Sequence, residues 1–299
     1  MQTKIFLLFI IAAVLTGCDK DEMNPNKNLT DGVCIVAHDE VVLNHTDFDY
    51  YDYSTHLIYL KDHKSFADII GDIGAFKVYA EGEEIYSGQI FPGYSSFLPS
   101  GPVIRTHPSL YNDNIVAIGF IQHLDTLGNL LPEPREDERI VTALKKYNQF
   151  HAGLSCEIES VQYFSSNNVK VELLLENNDS FNYYYLDPDK TGMGLFHYFT
   201  NGLFIRNFET HETYTHKIEP VSADPWNTWK KDWLSTIKGN DSKKITITYD
   251  HFENVPAGQY KATFEFPGLS FQVHKKEIVQ DNGQIWLGNL AMGKEISIE

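Results

Sequence analysis

Apolar and polar positions follow two rhythms along this chain, and the change between them falls near residue 153. Before it, apolar runs rich in β-branched and aromatic residues predict strands at Cys34 to Ala37, His56 to Leu60, Phe76 to Ala80, Glu84 to Ile90, Val103 to Arg105 and Asn114 to Ile121. Two stretches of helical spacing interrupt them. Ser65 is a good N-cap with Asp68 three residues on, and Phe66, Ile69, Ile70 and Ile73 recur on one face before Gly74. A second helix is expected after Pro132 to Arg135, with Ile140, Leu144, Tyr147 and His151 on one stripe and Gly153 as its stop. Residues 32–152 therefore read as an α+β domain.

From Leu154 onward the alternation is strict. Val169, Val171, Leu173 and Leu175 form one such series, Ile245, Ile247 and Tyr249 a second, and Tyr260, Ala262, Phe264 and Phe266 a third. Turn residues separate them at Asn177 to Ser180, Asp187 to Gly192, Pro256 to Gly258 and Asp281 to Gly283. Residues 153–299 are expected to be an all-β sandwich, one face of each strand apolar and the other wet. One inserted helix is expected at Asp224 to Gly239, with a cap, Pro225 in the first turn and a glycine stop. It would carry Trp226, Trp229 and Trp233 on one stripe with Ile237, either as a platform for a sugar or partner protein or as a cover over an open side of the sandwich.

Ahead of both domains, Lys4 is followed by an unbroken apolar run from Ile5 to Val14 and then by Leu15, Thr16, Gly17 and Cys18. This order is that of a secretory signal, and the run is shorter than the roughly 20 residues needed to span a bilayer core of about 30 Å. Leu15 to Cys18 resembles the lipobox of bacterial lipoproteins. The resemblance implies that residues 1–17 are removed and Cys18 is acylated, each buried methylene adding about 0.8 kcal/mol to attachment at the outer membrane. Residues 18–31 read as a flexible polar tether. Its opening cluster, Asp19, Lys20, Asp21 and Glu22, resembles the export signal of Bacteroidota surface lipoproteins, which implies the cell surface, with a periplasm-facing position as the alternative. In the second domain, Glu176 and Asn177 ending one strand and Pro256, Ala257, Gly258, Gln259 and Tyr260 opening a late one resemble bacterial immunoglobulin-like modules, including those of the intracellular proteinase inhibitor type. That resemblance implies an immunoglobulin-like sandwich and carries no functional residue.

The net charge of −17 becomes −18 once Lys4 is removed with the signal. Such a surface repels phosphate backbones and argues against a nucleic-acid partner. With Cys18 acylated, Cys34 and Cys156 remain, each at the opening of a predicted strand. In an oxidising compartment they are either a disulfide joining the two domains, nominally worth about 4 to 5 kcal/mol, or two buried thiols.

Reactive motifs fail on spacing. His211, Glu212 and His216 place the second histidine five residues on, where a helical zinc motif needs four. Asp189 to Gly192 matches a pump phosphorylation string without membrane spans, and the calcium-loop pattern begun at Asp187 meets Tyr198 where glutamate is required. Gly93 to Phe97 and Gly153 to Glu157 lack the closing glycine of a nucleophile elbow. One acidic cluster is a weak metal candidate: His45, Asp47, Asp49 and Tyr51 would share a strand face, with Asp52 and His56 close behind. The alternative is a solvated edge. The proline-rich stretch from Phe91 to Pro108, bearing Tyr94 and Phe97, is a second candidate surface or a stiff crossing packed on the core.

The expected function is that of a non-catalytic, cofactor-free lipoprotein anchored in the cell envelope, binding or assembling with an envelope protein or a glycan. Two alternatives stand beside it: a carbohydrate-binding accessory of an outer-membrane uptake system, and a metal-dependent hydrolase using the His45 to His56 region.

Overall fold

The computed structural model describes residues 31–62, 64–66, 74–96, 99–106, 109–121, 133–164 and 167–299, and over these the chain is mostly β-sheet. Residues 33–151 supply two sheets. The larger runs in the order Glu40–Leu43, Val33–Ala37, Gly74–Ala80, Glu83–Phe91, Gly101–Arg105, Gly119–Ile121. The smaller runs Phe150–His151, Phe48–Asp52, Leu57–Leu60, Ile115–Ala117. Period-two alternation turns Phe76, Val78 and Ala80 of the first inward, where they join Phe48, Tyr51, Ile58 and Val116 of the second in one buried cluster.

The helix Glu138–Lys146 closes this cluster with Ile140, Ala143 and Leu144, and its first turn is capped by Asp137, which accepts from Arg139 N at 2.9 Å. It stops earlier than its stripe of apolar residues predicts. Asn148 takes a left-handed φ of 56°. The next residues are then captured as a parallel edge strand, through bonds from Tyr51 N to Gln149 O (2.7 Å) and from Tyr53 N to His151 O (2.9 Å). His151 therefore lies on a strand and not on the helix. The helix predicted from Ser65 falls on residues 67–73, outside the described residues, and Gly74 opens a strand.

Residues 154–298 supply three more sheets: Leu154–Phe164, Asn168–Asn177, Ser242–Tyr249; then Leu234–Ile237, Asn182–Leu186, Gly283–Ile285, Val279–Gln280; then Thr213–Thr215, Leu203–Asn207, Gly258–Pro267, Asn289–Ile298. All three alternating series read from the sequence point inward and are buried in a second cluster.

The helix expected at Asp224 to Gly239 is absent. The chain makes only a short 3-10 turn at Lys231–Trp233 before Leu234–Ile237 pairs antiparallel with Asn182–Leu186, Tyr183 lying opposite Ile237 and Leu186 opposite Leu234. Gly239 ends the segment for a different reason than a helix stop: a Cβ there would come within 2.2 Å of Ser180 O. Strand pairing with residues some fifty positions upstream overrides the local three-and-four spacing of the tryptophans.

Cys156 is a free thiol, so the disulfide with Cys34 is not formed. The two lie in different sheets, Cys34 opposite Tyr79 and Cys156 opposite Leu175. Burial pushes the Cys34 thiol up to about 11 and that of Cys156 up to about 12, which keeps both protonated.

Among the described residues no sheet combines strands from both sides of residue 153, yet the apolar core does. Tyr50, Leu57, Tyr59 and Ile115 belong to the same buried cluster as Leu154, Tyr183 and Trp286.

Candidate binding cleft between the two halves

The tip of the hairpin Phe48–Asp52 to Leu57–Leu60 is inserted between the halves, and its conformation follows from its own side chains. The Asp52 carboxylate accepts from Ser54 N (2.9 Å) and Ser54 Oγ (2.6 Å), which bends the chain back. His56 then takes a φ of 54°, and its Nδ1 shares a 2.9 Å hydrogen bond with Tyr51 Oη. The second half receives this tip. Trp286 Nε1 donates to Ser54 Oγ at 3.3 Å, and Gly288 leaves its Cα bare where a Cβ would lie 2.7 Å from Thr55 Cγ2. Asp179 closes the other side, accepting from Ala152 N (2.9 Å), Gly153 N (2.8 Å) and Tyr183 Oη (2.9 Å).

Beside the tip lies a cleft of about 710 Å³. Its lining includes Ser54, Thr55, His56, Val103, Arg105, Tyr111 and Phe120 of the first half and Glu265, Asn289, Leu290 and Ala291 of the second. Arg135 enters from a short 3-10 turn at Pro134–Glu136. Its guanidinium is held by Glu133 through two parallel bonds, Nε to Oε1 at 2.8 Å and Nη2 to Oε2 at 2.7 Å, donates to Ile118 O, and lies 5.5 Å over the Phe120 ring. Arg105 has no ion pair among the described residues and stands 6.0 Å over the Phe91 ring. The cleft thus sets aromatic faces beside guanidinium, carboxylate and amide groups.

Two ionisable groups at the hairpin tip are strongly displaced. Burial, with the nearby Arg135 charge second, pushes His56 down to about 3, so the imidazole is neutral at physiological pH. Burial pushes Asp52 up to about 6 despite the opposing hydrogen bonds from Ser54, with the Asp179 charge a smaller contribution in the same direction.

The five residues of the weak metal candidate are separated by the fold. His45 and Asp47 precede the strand instead of sharing its face: His45 Nδ1 lies 3.1 Å from Asp31 O, and Asp47 receives Asn44 N at 3.0 Å and pairs with Lys64 at 3.4 Å. Asp49 is exposed, Asp52 is turned into the Ser54 bend, and His56 is turned to Tyr51. A register shift between Phe48 and Tyr50 breaks the simple alternation that would have aligned them. No group of three or more His, Cys, Asp or Glu side chains among the described residues is placed to hold a metal ion.

The tryptophan platform is dispersed in the same way. Trp226 is 62% exposed beside Phe271, Trp229 is half-buried, and Trp233 is buried under Lys230, whose Nζ stands 5.9 Å over its ring. Tyr94 is 78% exposed on its loop, and Phe97 lies outside the described residues. Of the candidate site residues singled out in the sequence the cleft gathers His56, and from the Phe91 to Pro108 stretch it takes Val103 and Arg105. Tyr111, Phe120, Arg135 and Asn289 carried no signal of a site, because the cleft is assembled from segments as far apart in the chain as Ser54 and Ala291.

No protein-family model matches the chain, and no curated protein matches it significantly. Among solved structures, crystal structures of a β-glucosidase from Kluyveromyces marxianus, one selenomethionine-labelled and one in complex with glucose, align at 10% and 11% identity. Each alignment covers 49% of this chain with a TM-score of 0.22, and the chain spans 14% of the length of those structures. A likeness of that degree carries no argument about fold or activity.

Proposed function

We propose that this protein is a lipid-anchored lipoprotein of the bacterial outer membrane, exposed at the cell surface, that works by binding a ligand in the cleft between its two halves and not by catalysis. The cleft of about 710 Å³ carries the reading, because its size is that of a small-molecule site and its lining sets aromatic faces among guanidinium, carboxylate, hydroxyl and amide groups that can orient a ligand. The anchor is supported by Lys4, the apolar run Ile5 to Val14 and the lipobox-like Leu15 to Cys18, and the display by the acidic residues that follow. In this reading residues 32–152 form an α+β domain and residues 153–299 an immunoglobulin-like sandwich, and the partners are the membrane, through Cys18, and an envelope protein or glycan. Metabolic labelling with a palmitate analogue tests the anchor. Label is expected on the wild type and absent from Cys18→Ser, and equal labelling of both contradicts it.

A carbohydrate ligand is the second reading. Tyr111 and Phe120 beside Arg105, Glu136 and Asn289 combine ring faces with planar hydrogen-bonding groups, the chemistry that stacks on and bonds to sugar hydroxyls. A glycan array probed with the soluble form lacking residues 1–18 decides it. Binding that is lost in Tyr111→Ala supports a sugar site, and uniform absence of binding removes it.

A further inference from the structure

Two imidazoles lie against each other in the second half, outside the cleft lining. His197 follows the short helix Met193–Phe196 and is 3% exposed, and His216 follows the strand Thr213–Thr215. Their ring centroids are 4.0 Å apart. The buried Tyr249 ring faces both, 5.5 Å from His197 and 5.1 Å from His216, the latter stacked at 18°. Gly202, with φ 70°, packs against the same rings: a Cβ there would come within 2.2 Å of His197 Cε1 and 2.8 Å of Tyr249 Oη.

Hydrogen bonds define the protons. Ile218 N donates to His216 Nδ1 at 3.2 Å, so that nitrogen is bare, and His216 Nε2 donates to Asn201 O at 2.8 Å. His197 Nδ1 lies 3.4 Å from Thr200 O, and its buried Nε2 has no partner among the described residues. The segment that carries His216 is seated by the antiparallel pairing of Thr213–Thr215 with Leu203–Asn207, by a bridge from His216 to Phe252, and by bonds from Lys217 N to His251 O (2.9 Å) and Glu253 N to Thr215 O (3.1 Å). Among the described residues, no charged side chain on the surrounding elements is hydrogen-bonded to either ring. Glu253 accepts from Thr215 N at 2.9 Å and Glu265 from the Asn201 amide at 3.3 Å, while Arg206, Lys217, Asp250 and His251 are exposed.

We propose that the His197–His216 pair is an acid-operated latch: proton uptake by the two rings releases residues 213–218 from their seat against Tyr249 and Phe252. A proton on His216 must go to Nδ1, where it meets the Ile218 N–H head on. A proton on His197 must go to Nε2, buried without an acceptor beside a second cation. Burial lowers both rings below the usual histidine range, and His216 lowers His197 further, to about 4. The seated segment therefore excludes protons that the released one takes up near pH 6.5, and the opening equilibrium rises by up to about tenfold per pH unit for each ring below that pH.

Hydrogen-exchange mass spectrometry on the whole protein between pH 7 and pH 4.5, corrected for intrinsic exchange rates, tests the latch. Amides of residues 213–218 are expected to lose at least tenfold protection between pH 6.5 and pH 5.0, while those of Asn168–Asn177 keep theirs, and His197→Phe or His216→Gln is expected to halve the slope. Protection of 213–218 that does not change with pH, or a fall of the same slope in both variants, overturns it. Should a variant fail to fold, the imidazole C–H resonances of the wild type decide. Rings that titrate only as 213–218 open support the latch, and a ring titrating near pH 6.5 with that segment still protected overturns it.

Discussion

The imidazole of His151 stacks on the phenol of Tyr50 with 4.1 Å between ring centroids and an interplanar angle of 18°. Tyr50 in turn stacks on Tyr59 at 4.1 Å, and the far side of His151 meets Phe181 at 4.9 Å, which meets Tyr183 at 4.9 Å. This aromatic column runs from the first half into the second without interruption. It supplies what the sheets do not, a packed connection across residue 153.

The column is expected to stabilise the whole molecule. Tyr50→Ala should cost about 3 kcal/mol or more in a urea unfolding titration, since it removes a buried ring with partners on both faces. Tyr94→Ala, at a ring 78% exposed, should change stability by less than about 0.5 kcal/mol. Equal effects of the two would mean that the column bears no weight.

Asp52 makes the fold less stable as pH rises. Its folded value of about 6 stands above its ordinary value of 3.8, so between these pH values the folded protein holds a proton that the unfolded chain has lost. The group's contribution is therefore fully present below pH 3.8 and lost as pH rises through about 6. Asp52→Asn removes this dependence, and relative to the wild type it should gain on the order of 3 kcal/mol between pH 4 and pH 7. Urea titrations at both pH values measure the difference.

His56 acts in the opposite sense. Held down to about 3, it is neutral in the folded protein, and the stability it allows is present above pH 6.5 and lost as pH falls toward 3. Replacement by glutamine should flatten the acid limb of the stability curve between pH 6.5 and pH 4. An unchanged limb would place the acid sensitivity elsewhere.

Gly288 is the fitted surface against the hairpin tip. Its φ of 95° and the 2.7 Å approach that a Cβ would make to Thr55 predict that Gly288→Ala destabilises by more than about 1 kcal/mol. Gly192→Ala, with φ 72° but nothing within 4 Å of its Cβ, should show the backbone cost alone. The difference between the two melting shifts isolates the contact at the junction.

What the sequence disclosed and what it withheld divide along the range of the forces involved. The strands bearing Val169 to Leu175, Ile245 to Tyr249 and Tyr260 to Phe266 were legible because a half-buried strand writes its period of two into adjacent residues. The segment from Trp226 to Ile237 was not, because its fate was decided by Tyr183 to Leu186 on another strand. His45, Asp47, Asp49, Asp52 and His56 looked like one cluster in one dimension. His45, Asp47, Asp52 and His56 were each taken by another partner, Asp49 is exposed, and a shift in strand register removed their common face. The cleft was invisible because no single segment contains it.

Photo-crosslinking in living cells tests the central claim most directly. A photoreactive phenylalanine analogue at position 120 lies in the cleft, and the same analogue at position 94 lies on an exposed loop outside the cleft lining. A discrete adduct formed from position 120 and not from position 94, in cells where the protein is accessible to external protease, is the predicted result. Adducts identical from both positions, or none from position 120 with the protein recovered away from the envelope, would contradict the account.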